Sequence, residues 1–156
     1  MKQFVLLWLV LAFSTSGVNA QRKMIRGRVI DDRLGTLPYF PIRINDTIVV
    51  GKTDSDGAFQ IDVPVSVKKL FLIDIGMEPA SIELADTCDE VDVVMLLSST
   101  YDFIRPKKVN RLRMKRFKKL PELHKAAFEK GLFKKDKGCH TQEFIPFTIR
   151  KRRLRT

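Results

Sequence analysis

The chain has 156 residues, 44% hydrophobic and 30% charged, which suits one domain plus an appendage. Its net charge of +11 is unevenly spread: residues 21–100 carry nine Lys/Arg against thirteen Asp/Glu, whereas residues 101–156 carry nineteen against five. An acidic body is therefore followed by a strongly basic ending, with the boundary near Tyr101.

Residues 1–20 read as a secretory signal peptide. Lys2 gives a short positive start, Phe4 to Phe13 an almost unbroken apolar run, and Val18-Asn19-Ala20 a small-residue cleavage pattern. The mature chain then starts at Gln21. An uncleaved anchor is the competing reading, but this apolar run is well short of the roughly 20 residues that cross a bilayer core. No Cys lies near the cleavage site, which argues against a lipoprotein anchor. No transmembrane span is expected after cleavage.

The next stretch carries strand signals at short, regular intervals: Met24–Ile30, Pro41–Ile44 continuing to Ile48–Val50, Ala58–Val63, Lys69–Ile75, Ala80–Leu84 and Val91–Leu97. Turn chemistry separates them, at Asp31-Asp32 through Gly35, Asn45-Asp46, Asp54 to Gly57, Pro64, Gly76 to Pro79 and Asp86 to Glu90. Short strands so spaced predict a β-sandwich rather than a parallel α/β sheet. Ile25, Val29, Ile42, Ile44, Phe59, Ile61, Val63, Leu70, Leu72, Val91 and Val93 are the expected inward positions. Both faces of Leu70 to Ile75 are apolar, so its inward face stays open.

Within this stretch, Thr53-Asp54 to Gly57-x-Phe59 forms a turn and the start of an alternating strand, and Gly27, Pro41, Pro64 and Ile75-Gly76 stand around it. On these residues the span 24–97 resembles the carboxypeptidase-regulatory-like domains, small transthyretin-like modules common in bacterial envelope proteins. Met77 departs from the aromatic residue that the family often has after that last glycine. The resemblance implies a mainly β fold, an antiparallel Greek-key sandwich of about seven strands. It also implies an envelope compartment, and it implies an accessory role rather than an activity.

Beyond Tyr101 the period becomes helical. Val109, Leu112, Phe117 and Leu120 make an apolar face, Arg111, Arg113, Lys115, Arg116, Lys118 and Lys119 fill the others, and Pro121 stops the run. A second helix is expected from Pro121 to Lys130, ending at Gly131. Residues 101–149 are thus read as a basic helical extension docked on a body of residues 21–100. Phe144-Ile145-Pro146-Phe147 is an extended apolar anchor, and residues 150–156 are a disordered basic tail.

Cys88 and Cys139 lie one in each half. In an oxidising compartment such a pair invites a disulfide, worth roughly 3–4 kcal/mol by loop-closure entropy. Two unpaired buried thiols are the alternative.

Catalytic patterns are sparse. His140-Thr141-Gln142-Glu143 has the His-x-x-Glu spacing of zinc peptidases, but no histidine follows it, and the other one, His124, lies upstream. His140 is read as a loop residue beside Cys139. There is no Gly-x-Ser-x-Gly elbow and no phosphate-binding glycine loop. Asp54-Ser55-Asp56-Gly57 echoes part of a calcium loop, yet Val65 stands where that loop needs its twelfth, acidic residue, so a turn is preferred.

The expected protein is an exported, non-catalytic binding or assembly module of the bacterial cell envelope, periplasmic or outer-membrane-associated, without cofactor or metal. Arg111, Arg113, Lys115, Arg116, Lys118 and Lys119 are its candidate partner-binding residues. The partner is an envelope protein or an anionic lipid or polysaccharide surface; nucleic acid is not expected in that compartment. A merely solvated basic face is the bland alternative. The rivals are an accessory or regulatory subunit of a metallopeptidase or other envelope enzyme, with a metal at His124, His140 and Glu143, and a nucleic-acid binder whose apolar start is no signal.

Overall fold

A computed structural model describes residues 21–147, so the signal-peptide and terminal-tail expectations lie outside the described residues. The chain is mainly β: β1 Arg22–Asp31, β2 Pro41–Ile44, β3 Ile48–Lys52, β4 Ala58–Pro64, β5 Lys69–Leu72, β6 Ala80–Leu84 and β7 Val93–Met95 precede α1 Pro106–Phe117 and α2 Leu120–Glu129, and β8 His140–Glu143 follows. The strands form two sheets, ordered β4-β1-β7 and β3-β2-β5-β6-β8.

The two sheets share one apolar core. Alternation in β4 turns Phe59, Ile61 and Val63 inward, where they meet Ile25 and Val29 of β1 and Ile42, Leu70, Leu72 and Ile82 of the other sheet. Ten of the eleven expected inward residues are buried; Ile44, at the end of β2, is only half-buried. Leu70 and Leu72 settle the inward face of β5, which ends early, leaving Ile75 in a fully exposed turn.

The pairing is not wholly antiparallel. β7 runs parallel to β1, with Val29 opposite Val93 and Asp31 opposite Met95. β7 is also shorter than the apolar run suggests, because the run is buried on two sides. Val93 and Met95 join the inter-sheet core, while Val94 and Leu96 join a second cluster with Ile30, Leu120, Ala127 and Phe133. A continuous apolar run is what a strand with two covered faces requires.

The Thr53 to Gly57 motif is structural. Buried Thr53 accepts a hydrogen bond from the Phe40 amide at 2.8 Å and donates to the Leu37 carbonyl, holding the loop before β2. Asp54 Oδ1 accepts from the amides of Asp56 and Ala58, both at 2.9 Å, so this carboxylate is the acceptor of an Asx-type turn. Gly57 sits at φ 74°, and a Cβ there would stand 2.6 Å from the Val29 carbonyl oxygen. At Gly27 a Cβ would be 1.9 Å from the Val91 carbonyl oxygen, so β1 can pass the segment before β7 only as glycine.

The helices are poor helix formers in isolation. α1 starts with Pro106 after an Arg105 that makes no side-chain cap, and Lys107 and Lys108 oppose the helix dipole in its first turn. Its stability must come from what it packs against. The disulfide Cys88–Cys139, with Cα atoms 5.4 Å apart, ties the loop after β6 to the residue before β8. The chain then returns to the sheet: β8 pairs antiparallel with β6, Ser81 opposite Glu143 and Leu84 opposite His140. His140 is thus a strand residue rather than a loop residue, and the basic extension supplies an edge strand of the larger sheet.

Candidate functional site

The six expected partner-binding residues separate into two groups. Arg111, Lys115, Lys118 and Lys119 are exposed. Arg113 and Arg116 are turned toward the sheets, whereas the helical spacing put all six off the apolar face. Arg113 is 6% exposed and its Nε donates to Glu78 Oε2 at 3.0 Å, the carboxylate being 7% exposed as well. Arg116 donates to Glu78 Oε1 at 3.1 Å, to Asp32 Oδ2 at 2.8 Å, to the Leu97 carbonyl at 2.7 Å and to Ser99 Oγ at 3.0 Å. The physical reason is that Val109, Arg113 and Leu120 face inward and are buried, whereas Leu112 and Phe117, expected on the apolar face, are only half-buried. The guanidinium of Arg113 also lies 5.5 Å from the centre of the Phe144 ring. At the other end of the segment, Asn110 exchanges two hydrogen bonds with the Phe147 backbone.

Charge on the exposed side is not neutralised internally. Of the basic residues in 101–147, only Arg113, Arg116, Lys134 and Lys135 pair with carboxylates of the β-body, namely Glu78, Asp32 and Glu90. Arg111, Lys115, Lys118 and Lys119 have no carboxylate partner among the described residues.

The two histidines and Glu143 do not converge. His140 and Glu143, three apart on a strand, point to opposite faces. Glu143 bonds Lys69 Nζ at 2.7 Å and Ser81 Oγ at 2.8 Å, and these bonds hold its carboxyl below the usual range. His124 and His140 do approach one another, with ring centres 6.4 Å apart. Among the described residues no three His, Cys, Asp or Glu side chains are grouped as metal ligands would be. Nor is any described helix long and apolar enough to cross a membrane.

Both histidines line a groove of about 790 Å³ formed by the end of α1, the start of α2, β7, β8 and the loop 136–138. Buried Val94 and Leu120 and half-buried Met114 and Phe117 make its interior, while exposed Lys118, Lys125, Asp136 and Lys137 stand at its mouth. His124 Nδ1 lies 3.0 Å from the Asp136 carbonyl, which can only accept, so in the neutral ring Nδ1 carries the proton and Nε2 presents a lone pair. That Nε2 is buried without a partner, as is Nδ1 of His140, whose ring rests on Gly138. Burial, and secondarily the neighbouring His124, pushes His140 down to about 4.

Sequence reasoning missed both Glu78 and the groove. Glu78 offers one signal, as a lone carboxylate between Met77 and Pro79-Ala80 at the start of an apolar strand. The groove has no linear signature, because its walls come from four separate elements and a loop. No protein-family model matches the chain, and no curated protein is similar to it.

Proposed function

We propose that the protein is an exported, non-catalytic binding module of the cell envelope whose solvent-facing side of α1 engages an anionic lipid or polysaccharide surface. The fold we propose beneath it is a transthyretin-like Greek-key sandwich of the carboxypeptidase-regulatory-like kind, with α1 and α2 as a docked basic extension. One observation carries the functional reading: on α1 and the turn that follows it, Arg113 and Arg116 are held by buried Glu78 and half-buried Asp32, while Arg111, Lys115, Lys118 and Lys119 stand in solvent without a carboxylate among the described residues. The inward pair fixes the helix, and the outward set projects fixed positive charge. Such an arrangement attracts polyanions over roughly a Debye length, about 8 Å at physiological salt.

The metallopeptidase-related alternative finds less support, since Glu143 lies on the opposite strand face from His140. The test is association with vesicles containing an anionic lipid, against purely zwitterionic vesicles, across a salt titration. The reading expects binding to the anionic vesicles alone, weakening steeply with salt. Equal binding to both, or to neither, overturns it.

A further inference from the structure

The groove between α1, α2 and β8 is distinct from the solvent-facing side of α1 and shares only Lys118 with it. We propose that it binds one single-chain lipid anion with a hydroxylated head group, a lysophospholipid, per protein chain. Four features argue for this occupant together. Its volume of about 790 Å³ lies within the roughly 300–1,000 Å³ typical of small-molecule sites. The interior is an apolar strip from Val94 through Met114, Phe117 and Leu120, which an acyl chain can cover and a free phosphate cannot.

The mouth selects an anion. Lys118 and Lys137 have no carboxylate partner among the described residues, and Lys125 has only an exposed contact with Glu129 at 3.9 Å. Two carboxylates stand against them. Asp136 is exposed, whereas Asp92 accepts hydrogen bonds from the Arg28 and Lys134 amides, and its burial raises it toward the neutral form. The balance at the mouth therefore remains positive. Finally, the lone pair of His124 Nε2 is buried with no donor, a position that a head-group hydroxyl fills.

The experiment is isothermal titration of the protein with myristoyl lysophosphatidylglycerol below its micelle concentration, with glycerol phosphate and myristoyl lysophosphatidylcholine as arms lacking the chain or the net charge. One saturable site per chain is expected for the anionic lysolipid, with both controls at least about tenfold weaker, a difference of roughly 1.4 kcal/mol. Met114→Trp, which fills the strip, should remove binding while leaving the melting curve in place. Lys137→Glu, on an exposed loop, should weaken it about fivefold and decides the matter if Met114→Trp unfolds. No saturable binding, glycerol phosphate binding as well as the lysolipid, or indifference to these substitutions would overturn the proposal. Failure here is separable from failure of the cationic face: Lys115→Glu with Lys119→Glu should abolish vesicle binding and leave lysolipid binding intact.

Discussion

Removing Glu78 should undock α1. Glu78→Ala takes from Arg113 its only carboxylate partner among the described residues, leaving a guanidinium 6% exposed beside the Phe144 ring without its ion-pair partner. Arg116 suffers less, because Asp32, the Leu97 carbonyl and Ser99 remain as acceptors. Breaking a buried pair from one side typically costs about 3–5 kcal/mol, and that range applies here. Arg113→Ala is milder, since Glu78 keeps its 3.1 Å bond to Arg116; one charge-assisted hydrogen bond is lost, about 1.5–3 kcal/mol. The double substitution should cost less than the sum of the two by about 2 kcal/mol, and Glu78→Leu with Arg113→Met should recover most of the loss. Urea unfolding followed by circular dichroism measures all four. A cost below about 1 kcal/mol for Glu78→Ala, or no coupling in the cycle, would refute the anchoring role.

Three further outcomes follow from the fold and the groove. Gly57→Ala, with its methyl 2.6 Å from the Val29 carbonyl oxygen at φ 74°, should cost at least about 2 kcal/mol in the same unfolding assay, where a fully exposed site would be near neutral. Cys139→Ser, removing a bridge across 51 residues, should lower stability by about 4 kcal/mol relative to the oxidised protein and by almost nothing relative to the reduced one. His140, held at about 4 against an ordinary 6.5, binds its proton more readily when unfolded. Its contribution is therefore fully present above about pH 6.5 and is lost as pH falls toward about 4, by up to roughly 3 kcal/mol. Stability measured at both ends of that window should fall with acid in the native protein and less so in His140→Gln; identical slopes would contradict the burial argument.

The sequence was most legible where one physical demand dominated. The period-two pattern of Phe59, Ile61 and Val63 allowed only one inward face, and the Asp54 to Gly57 turn residues marked where the chain reverses. The parallel β1–β7 pair was not legible, because Val91 to Leu97 carries no alternation and a two-sided burial hides its partner. Arg113 misled for a different reason: arginine on a basic helix reads as solvent-facing unless its carboxylate is known, and Glu78 lies 35 residues away. The end of α1 and both ends of α2 came within a few residues because Pro121 and Gly131 punctuate them. His140 read as a loop residue because it opens a mostly polar run with no strand signal; the disulfide and the β6 edge make that run a strand.

α1 with the turn after it has an anchoring side and a binding side, and one comparison tests that division directly. Binding to anionic vesicles and unfolding free energy should be measured on Lys115→Glu/Lys119→Glu and on the native protein under the same salt. The expected result is stability unchanged within about 0.5 kcal/mol, as for exposed substitutions, with vesicle binding lost. A variant that unfolds more easily, or that binds the vesicles as the native protein does, would contradict the division of α1 into those two sides.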